Sequence, residues 1–137
     1  MTPIVAVTAD RSPGEPRTEP NAHGRIRPLH ARVHVNECVV SAIKANGVDC
    51  IILPPEPANI DATVNWVLNH CQGLVITGGH FDIHPSLYGH TVDARIDRVD
   101  EGRTHLEIAL ARATIKENFP VLGICGGMQA LAVAGGG

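Results

Sequence analysis

The amino-acid sequence predicts a doubly wound α/β fold, in which one parallel β-sheet carries helices on both faces. Four short, continuous apolar runs rich in Val, Ile and Leu have the length and composition of buried strands. The segments between them place apolar residues three or four positions apart, which is the spacing of one face of a helix. Because strands and helices alternate along the chain, the strands are expected to run parallel, joined by right-handed crossovers.

The first half of the chain contains two predicted strands and one helix. Residues 3–8 form an apolar, β-branched run, and residues 10–27, rich in proline, glycine and charge, are predicted to be a loop. Residues 50–53 form the second strand, which two prolines end. Between these strands a helix is expected to end at Gly47, a residue suited to the left-handed conformation of many helix ends. Its apolar face consists of Val35, Cys38, Val39, Ala42 and Ile43.

The second half supplies the remaining elements. Asp61 is predicted to cap a helix that ends before Gly73, and two glycines follow the third strand, residues 74–77. The apolar face of that helix consists of Val64, Val67, Leu68 and Cys71. The later elements are an irregular polar stretch over 80–100, a helix over 101–117, a strand over 120–124, a turn over 125–127 and a helix over 128–134.

Composition argues against several classes of protein. A length of 137 residues suits one domain, and 44% hydrophobic residues suffice for a core, which must be aliphatic because only 3% of residues are aromatic. The formal net charge of −3 gives no argument for binding nucleic acid or an anionic membrane. No apolar run reaches the ~20 residues of a membrane span, and the first residues lack the basic segment of a signal peptide.

The cysteines favour a cytoplasmic protein with free thiols. The four of them form neither a CxxC pair nor a zinc-binding spacing; they are Cys38, Cys50, Cys71 and Cys125. The first three are expected to be packing residues. Cys125 differs from the others because of the glycines that surround it.

The histidines predict no metal site, and we expect no cofactor. His80, His84 and His90 are close in sequence, but their spacing on a predicted loop matches no standard metal site. His30 and His34 lie four residues apart near a predicted helix start, where a solvated face is the simpler interpretation.

The strongest candidate for chemistry is Cys125, in the pentapeptide Gly-Ile-Cys-Gly-Gly at the junction of a predicted strand and helix. This is the pattern of a nucleophile elbow, with Cys in place of Ser. Gly123 and Gly127 are explained by such a sharp turn, because side chains two residues to either side of the nucleophile would clash. A helix N-terminus favours a thiolate, and the backbone N–H of Gly126 is positioned to donate to an oxyanion. The alternative is a structural cysteine in a glycine-rich turn.

A second candidate is the glycine pair Gly78–Gly79 at the carboxyl end of the third strand. Ligands of open α/β sheets bind at this edge, and glycines let backbone N–H groups approach a ligand closely. The pair can therefore supply the second oxyanion donor. A simple tight turn is the alternative interpretation.

Two longer segments resemble a known family. LVITGGHFDIHPSLYG (residues 74–89) and FPVLGICGGMQALAVAGGG (residues 119–137) resemble the class I glutamine amidotransferase-like superfamily, above all the γ-glutamyl-γ-aminobutyrate hydrolase family, peptidase family C26. The resemblance implies a flavodoxin-like sheet and a small γ-glutamyl substrate. It further implies that Cys125 is the nucleophile, that Gly126 and Gly79 or Gly78 supply the oxyanion donors, and that Gln129 helps to hold the glutamyl backbone.

The chain departs from that family's pattern at two points. Many members carry Arg directly after the nucleophile, where this chain has Gly126. The family's catalytic His and Glu follow the nucleophile at a distance, whereas the twelve residues after Cys125 contain neither. His105 lies on the preceding predicted helix and is not expected to replace them. Residues 1–137 are thus expected to form a single, incomplete domain, the N-terminal portion of this fold, with little or no turnover alone.

Three alternative functions stay open at this point. The chain can be the glutaminase component of an amidotransferase, which shares the elbow motif. It can be a non-catalytic interaction module, completed by a second chain or by a copy of itself. It can also be a cysteine-based stress sensor on a similar scaffold.

Overall fold

The computed structural model describes residues 1–14, 19–20, 22–26, 30–91, 95–96 and 98–137. The four strands of its main sheet alternate with helices as predicted, and two further strands lie outside that sheet. In chain order they are β1 (Ile4–Thr8), β2 (Asp10–Ser12), β3 (Arg32–His34), α1 (Glu37–Ala45), β4 (Asp49–Leu53), α2 (Ile60–His70), β5 (Gly73–Ile76), a 3₁₀ helix (Pro85–Tyr88), α3 (Glu101–Lys116), β6 (Val121–Gly123) and α4 (Gly126–Ala134).

The main sheet contains four parallel strands in the order β4-β1-β5-β6. The four strands predicted from apolar runs are these four, so the predicted α/β fold class is confirmed. All four residues of β5 are buried, and β1 lies between β5 and β4. The carboxyl ends of β5 and β6 lie side by side, since Ile76 pairs with Gly123. This pairing brings the Gly78–Gly79 segment next to Cys125.

The core is aliphatic, as the composition predicts. The largest fully buried side chains include Leu74 and Ile76 of β5 and Leu106 and Leu110 of α3. Helix α3 contributes eight buried residues, whereas α1 contributes none. Among the described residues, no helix is long and apolar enough to cross a membrane.

The segment predicted to be a loop contains a strand instead. β2 pairs antiparallel with β3, with Asp10 opposite His34 and Ser12 opposite Arg32. The prediction of a loop over residues 10–27 is therefore wrong at its start. β2 is three polar residues long, and its partner begins twenty residues after it ends, so neither an apolar period nor a short turn marks the pair.

The start of α2 also differs from the prediction. Asn59, not Asp61, is the N-cap: its side chain accepts a hydrogen bond from the backbone N–H of Ala62 at 2.9 Å. Asp61 lies within the first helical turn, where a negative charge still complements the helix dipole. Gly47 has the predicted left-handed conformation after α1, with φ 71°.

Candidate active site

Cys125 is held in a backbone conformation that an L-amino acid rarely adopts. It lies between β6 and α4 with φ 51° and ψ −106°, and its side chain is exposed. The turn is fixed on both sides: the N–H of Ile124 donates to the carbonyl of Ile76 at 2.9 Å, and the N–H of Gly127 donates to the carbonyl of Ile124 at 2.9 Å. This strained, exposed thiol lies at the N-terminal end of a helix, the place that the predicted elbow motif gives it, while its role as a nucleophile stays a prediction.

The glycines two residues to either side of Cys125 cannot be replaced without movement. A Cβ on Gly123 would lie 2.6 Å from the carbonyl carbon and oxygen of Gly127. A Cβ on Gly127 would overlap the carbonyl oxygen of Ile76. Gly126 differs, because its nearest neighbours would be Gly78 Cα at 3.8 Å and Gly79 N at 3.9 Å, which is ordinary contact. The structure therefore leaves room for a side chain directly after the cysteine.

Gly78 lies directly against Cys125. A Cβ on Gly78 would be 2.9 Å from Cys125 Cβ and 3.7 Å from its sulfur. A Cβ on Gly79 would collide with Nη1 of Arg103 and lie 2.8 Å from Oδ2 of Asp10. The glycine pair, the cysteine and Gly126 thus form one cluster, as the two motifs predict.

Comparison with known proteins gives the family. Residues 3–137 match the sequence model of the Peptidase C26 family. The chain belongs to this family. It is 43% identical over 93 residues to "Putative glutamine amidotransferase Rv2859c" of Mycobacterium tuberculosis, which covers 68% of this chain and 29% of that protein. It is 32% identical over 108 residues to γ-glutamyl-γ-aminobutyrate hydrolase PuuD of Escherichia coli, which covers 79% of this chain and 41% of that protein. The chain thus spans less than half the length of these two relatives.

In this Peptidase C26 chain, the side chain of Gln129 faces a cavity that Cys125 does not line. Gln129 lies one turn into α4, and its backbone N–H donates to the carbonyl of Cys125 at 3.2 Å. Its side chain is exposed and borders a cavity of about 310 Å³, together with Asp82, Ile83 and Tyr88. Backbone proximity to the cysteine is thus clear, while the proposed contact of Gln129 with substrate stays a prediction.

A second cavity, of about 340 Å³, opens beside Cys125 itself. Its polar lining includes Asp10, His34, Asn36 and His80. Within the described part of the chain, Nδ1 of His34 is buried without a hydrogen-bond partner. Neither histidine was assigned to this site from the sequence. His34 reaches it on β3, a strand that no apolar pattern marks, and His80 follows the glycine pair directly.

The remaining candidate side chains lie elsewhere. His105 is exposed and lines a separate cavity with His84, so it does not share the Cys125 cavity. The described residues contain no cluster of three or more His, Cys, Asp or Glu side chains that is suited to a metal ion.

The four cysteines are free thiols in different environments. Cys71 is buried, and burial raises the pKa of its thiol. Cys50 is half-buried, so both it and Cys71 fit the predicted packing role. Cys38 does not, because it is exposed and lines the same cavity as Cys125. The expectation of three packing cysteines is therefore wrong for Cys38, which lies in the first turn of α1, a helix without buried residues.

A buried polar network centred on Arg103 contacts the backbone of the glycine pair. The guanidinium of Arg103 donates from Nε to Glu107 at 2.9 Å, from Nη1 to Asp10 at 2.7 Å and from Nη2 to the carbonyl of Thr77 at 2.8 Å. The hydroxyl of Thr8 donates to the same Glu107 oxygen at 2.8 Å. Burial raises the pKa of Glu107, and its contacts with Arg103 and Thr8 oppose that rise. Sequence analysis missed this network, although Arg103 and Glu107 are spaced as i and i+4 on one helix.

Proposed function

We propose that this chain carries the nucleophile of a hydrolase that cleaves γ-glutamyl amides, with Cys125 as the attacking residue. The observation that carries the proposal is the strained backbone of Cys125, at φ 51° and ψ −106°, beside Gly78. Strain of this kind costs roughly 1–3 kcal/mol and persists mainly where function requires it. Family membership supports the substrate class, because one relative is named a γ-glutamyl-γ-aminobutyrate hydrolase.

The proposed reaction has two steps. The Cys125 thiolate attacks the γ-carbonyl carbon, and the oxyanion accepts hydrogen bonds from the N–H groups of Gly126 and of Gly79 or Gly78. The C–N bond then breaks, and the amine takes up a proton as it leaves. Water hydrolyses the resulting glutamyl thioester and returns the thiol. In this proposal Gln129 holds the backbone end of the glutamyl group.

The chain itself is expected to complete this cycle poorly. The departing amine needs a proton donor and the attacking water needs a base, and such help is typically worth ~10²–10⁴-fold in rate. No His, Asp or Glu occurs among residues 126–137. His34 and His80 line the Cys125 cavity, but among the described residues neither forms a hydrogen bond with the Cys125 sulfur. We therefore expect little or no turnover of γ-glutamyl amides by the 137-residue chain. Robust turnover that depends on Cys125 would contradict this expectation.

The nucleophile can be tested without an acid–base partner. An aryl γ-glutamyl ester releases a phenolate, which leaves without a proton, so acylation alone gives a measurable burst. We expect one equivalent of phenolate per chain and a glutamyl adduct on Cys125 in the mass spectrum. Cys125→Ser should give no burst. Cys38→Ser is the matched control, since Cys38 is exposed in the same cavity, and it should behave as the wild type. A burst that survives in Cys125→Ser would refute the assignment.

A glutaminase that feeds ammonia to a synthase is the second candidate. It is favoured by the name of the Mycobacterium tuberculosis relative, a glutamine amidotransferase. Ammonia release from glutamine that rises when a synthase partner is added would select this function over the hydrolase. Both candidates share a small γ-glutamyl substrate, need no cofactor and suit the cytoplasm, where free thiols such as those of this chain persist.

A further inference from the structure

Arg103 is a buried cation that binds two carboxylates and two backbone carbonyls. Its side chain is only 5% exposed, and it forms ion pairs with Asp10 at 2.7 Å and Glu107 at 2.9 Å. Its Nη2 atom donates to two successive carbonyl groups, those of Thr77 at 2.8 Å and Gly78 at 3.1 Å. A buried cation aimed at two backbone carbonyls next to a candidate catalytic cysteine calls for a functional explanation.

The geometry of a peptide bond links this contact to the cysteine. In a trans peptide the C=O and N–H groups point in opposite directions, and the described residues contain no cis peptide. Because Arg103 binds the carbonyl of Gly78, the N–H of Gly79 in the same peptide points away from Arg103. The Gly79 nitrogen lies 3.9 Å from the position of a Cβ on Gly126, so it borders the cysteine elbow.

The glycine pair needs such an anchor. Two consecutive glycines have wide conformational freedom, and an oxyanion donor contributes only while it stays oriented. Arg103 is itself held at both ends. Its guanidinium forms ion pairs with Asp10 and Glu107, and its backbone N–H donates to Oδ1 of Asp100 at 2.9 Å. A Cβ on Gly79 would collide with the guanidinium, so the peptide and Arg103 are in close contact.

We propose that Arg103 is a positioning residue that holds the Gly78–Gly79 peptide with the Gly79 N–H directed at the oxyanion formed on attack by Cys125. This inference rests on the proposed function. It selects Gly79 rather than Gly78 as the second oxyanion donor because, of the two nitrogens, only that of Gly79 lies within 4 Å of a Cβ on Gly126. Arg103 acts through the backbone and does not touch the reacting atoms. The competing explanation is a purely structural role, in which the network only ties α3 to β1 and β5.

Two reactions of Cys125 separate these explanations. Acylation by the aryl γ-glutamyl ester develops an oxyanion, whereas alkylation by iodoacetamide is a displacement at carbon that develops none. Loss of oxyanion positioning therefore slows acylation alone. General damage to the fold or to the thiol slows both reactions.

The main variant is Arg103→Lys, with Arg112→Lys as the matched control on an exposed position of the same helix. A lysine keeps the charge but cannot bind two carboxylates and two carbonyls together. Because loss of a whole oxyanion donor typically costs 10²–10³-fold, we expect acylation to slow by roughly 10- to 100-fold. Alkylation should change by less than about threefold, and Arg112→Lys should leave both rates unchanged. Equal losses in both reactions, or unchanged acylation in folded Arg103→Lys, would overturn the proposal.

A second variant and a second readout cover the remaining cases. If Arg103→Lys does not fold, Asp10→Asn is the second variant, because asparagine has the shape of aspartate but binds Nη1 of Arg103 more weakly. It should slow acylation by a few fold and leave alkylation unchanged. Equal slowing of both reactions would count against the proposal. The NMR order parameter of the Gly79 N–H should fall in either variant, while that of Gly126 stays high. If the order parameter of the Gly79 N–H stays as high in the variants as in the wild type, the inference is overturned. This readout does not require that the wild type be acylated. Absence of acylation in the wild type overturns instead the proposed function.

Discussion

At the scale of single residues, the elbow depends on where side chains are absent. Gly123 and Gly127 contact each other across the turn, and Gly127 also contacts the backbone of β5. Gly126, between the cysteine and Gly127, meets nothing closer than 3.8 Å. Of two neighbouring glycines in one motif, Gly127 therefore has no room for a side chain and Gly126 has room for one. A pair of alanine substitutions can measure this difference.

We expect Gly127→Ala to be strongly destabilising and Gly126→Ala to be tolerated. The added methyl group at position 127 would overlap a carbonyl oxygen of β5, so strand and helix must separate, at a cost of about 2–4 kcal/mol. Alanine at position 126 should change the free energy of unfolding by less than about 1 kcal/mol, since alanine favours a helix over glycine. Urea unfolding of both variants gives the comparison. Equal stability of the two variants would show that the close approach of α4 to β5 is not required.

The residues of the candidate site differ in whether a short stretch of sequence predicts their position. The positions of Cys125 and its glycines were predictable because a strand–helix turn is formed by five consecutive residues, and the sharpness of the turn requires glycine at defined positions among them. Gly78 and Gly79 were predictable because they follow a buried run directly. His34 and Arg103 were not, since they reach the site through β3 and α3, and only the folded sheet brings those elements together.

At the scale of elements, α3 carries both the core and the polar support of the site. It buries Leu106 and Leu110 and also Arg103 and Glu107. The buried carboxylate of Glu107 and the half-buried carboxylate of Asp10 share one guanidinium, so the network depends on the protonation of Glu107. The pKa of Glu107 is raised by burial from an ordinary value of 4.5.

The raised pKa makes a prediction about stability and pH. Folding favours the protonated form of Glu107, so its contribution is full below pH 4.5 and is lost as the pH rises through the pKa of the folded state. Glu107→Gln removes this titration. We expect the free energy of unfolding of the wild type, minus that of Glu107→Gln, to fall as the pH rises above about 4.5, by about 1.4 kcal/mol for each unit of pKa shift. Urea unfolding at a series of pH values measures it. A difference that grows with pH would mean that Arg103 outweighs burial.

Helix starts provide a second prediction at this scale. Asn59 caps α2 through its side chain, whereas Asn36 occupies the same position before α1 without a side-chain cap hydrogen bond. Asn59→Ala should therefore lower the free energy of unfolding by about 1 kcal/mol, and Asn36→Ala by no more than a few tenths. Thermal or urea unfolding of the pair tests this contrast. A larger loss for Asn36→Ala would contradict the capping assignments.

Whole elements were predictable where burial leaves a pattern. β1, β4, β5 and β6 are continuous apolar runs, because a parallel strand covered by helices is apolar on both faces. β2 and β3 contribute three residues each and lie outside that sheet, so their sequences carry no such pattern. Asn59 was missed as a cap because Asp61, two residues later, is an equally good capping residue by type.

At the scale of the whole molecule, the edge strands of the sheet are less well covered than its central strands. β1 and β5 are central and contain fully buried residues. β6 forms an edge of the sheet, and around it Leu122 is 58% exposed and Met128 of α4 is 60% exposed. Ile124, next to the catalytic candidate, is also exposed. An apolar sheet edge without a charged or proline residue is a site where chains associate.

We therefore expect the 137-residue chain to self-associate through the β6 edge. Leu122→Lys places a charge on that edge and removes apolar surface whose burial is worth about 1.5–3 kcal/mol, so it should weaken association by tenfold or more. Ile115→Lys is the matched control, because Ile115 is 50% exposed on α3 rather than on β6. Sedimentation velocity over a range of concentrations measures the effect. If Ile115→Lys weakens association as much as Leu122→Lys, general solubility rather than the β6 edge controls it; if the wild type stays monomeric, the exposed edge alone does not drive pairing.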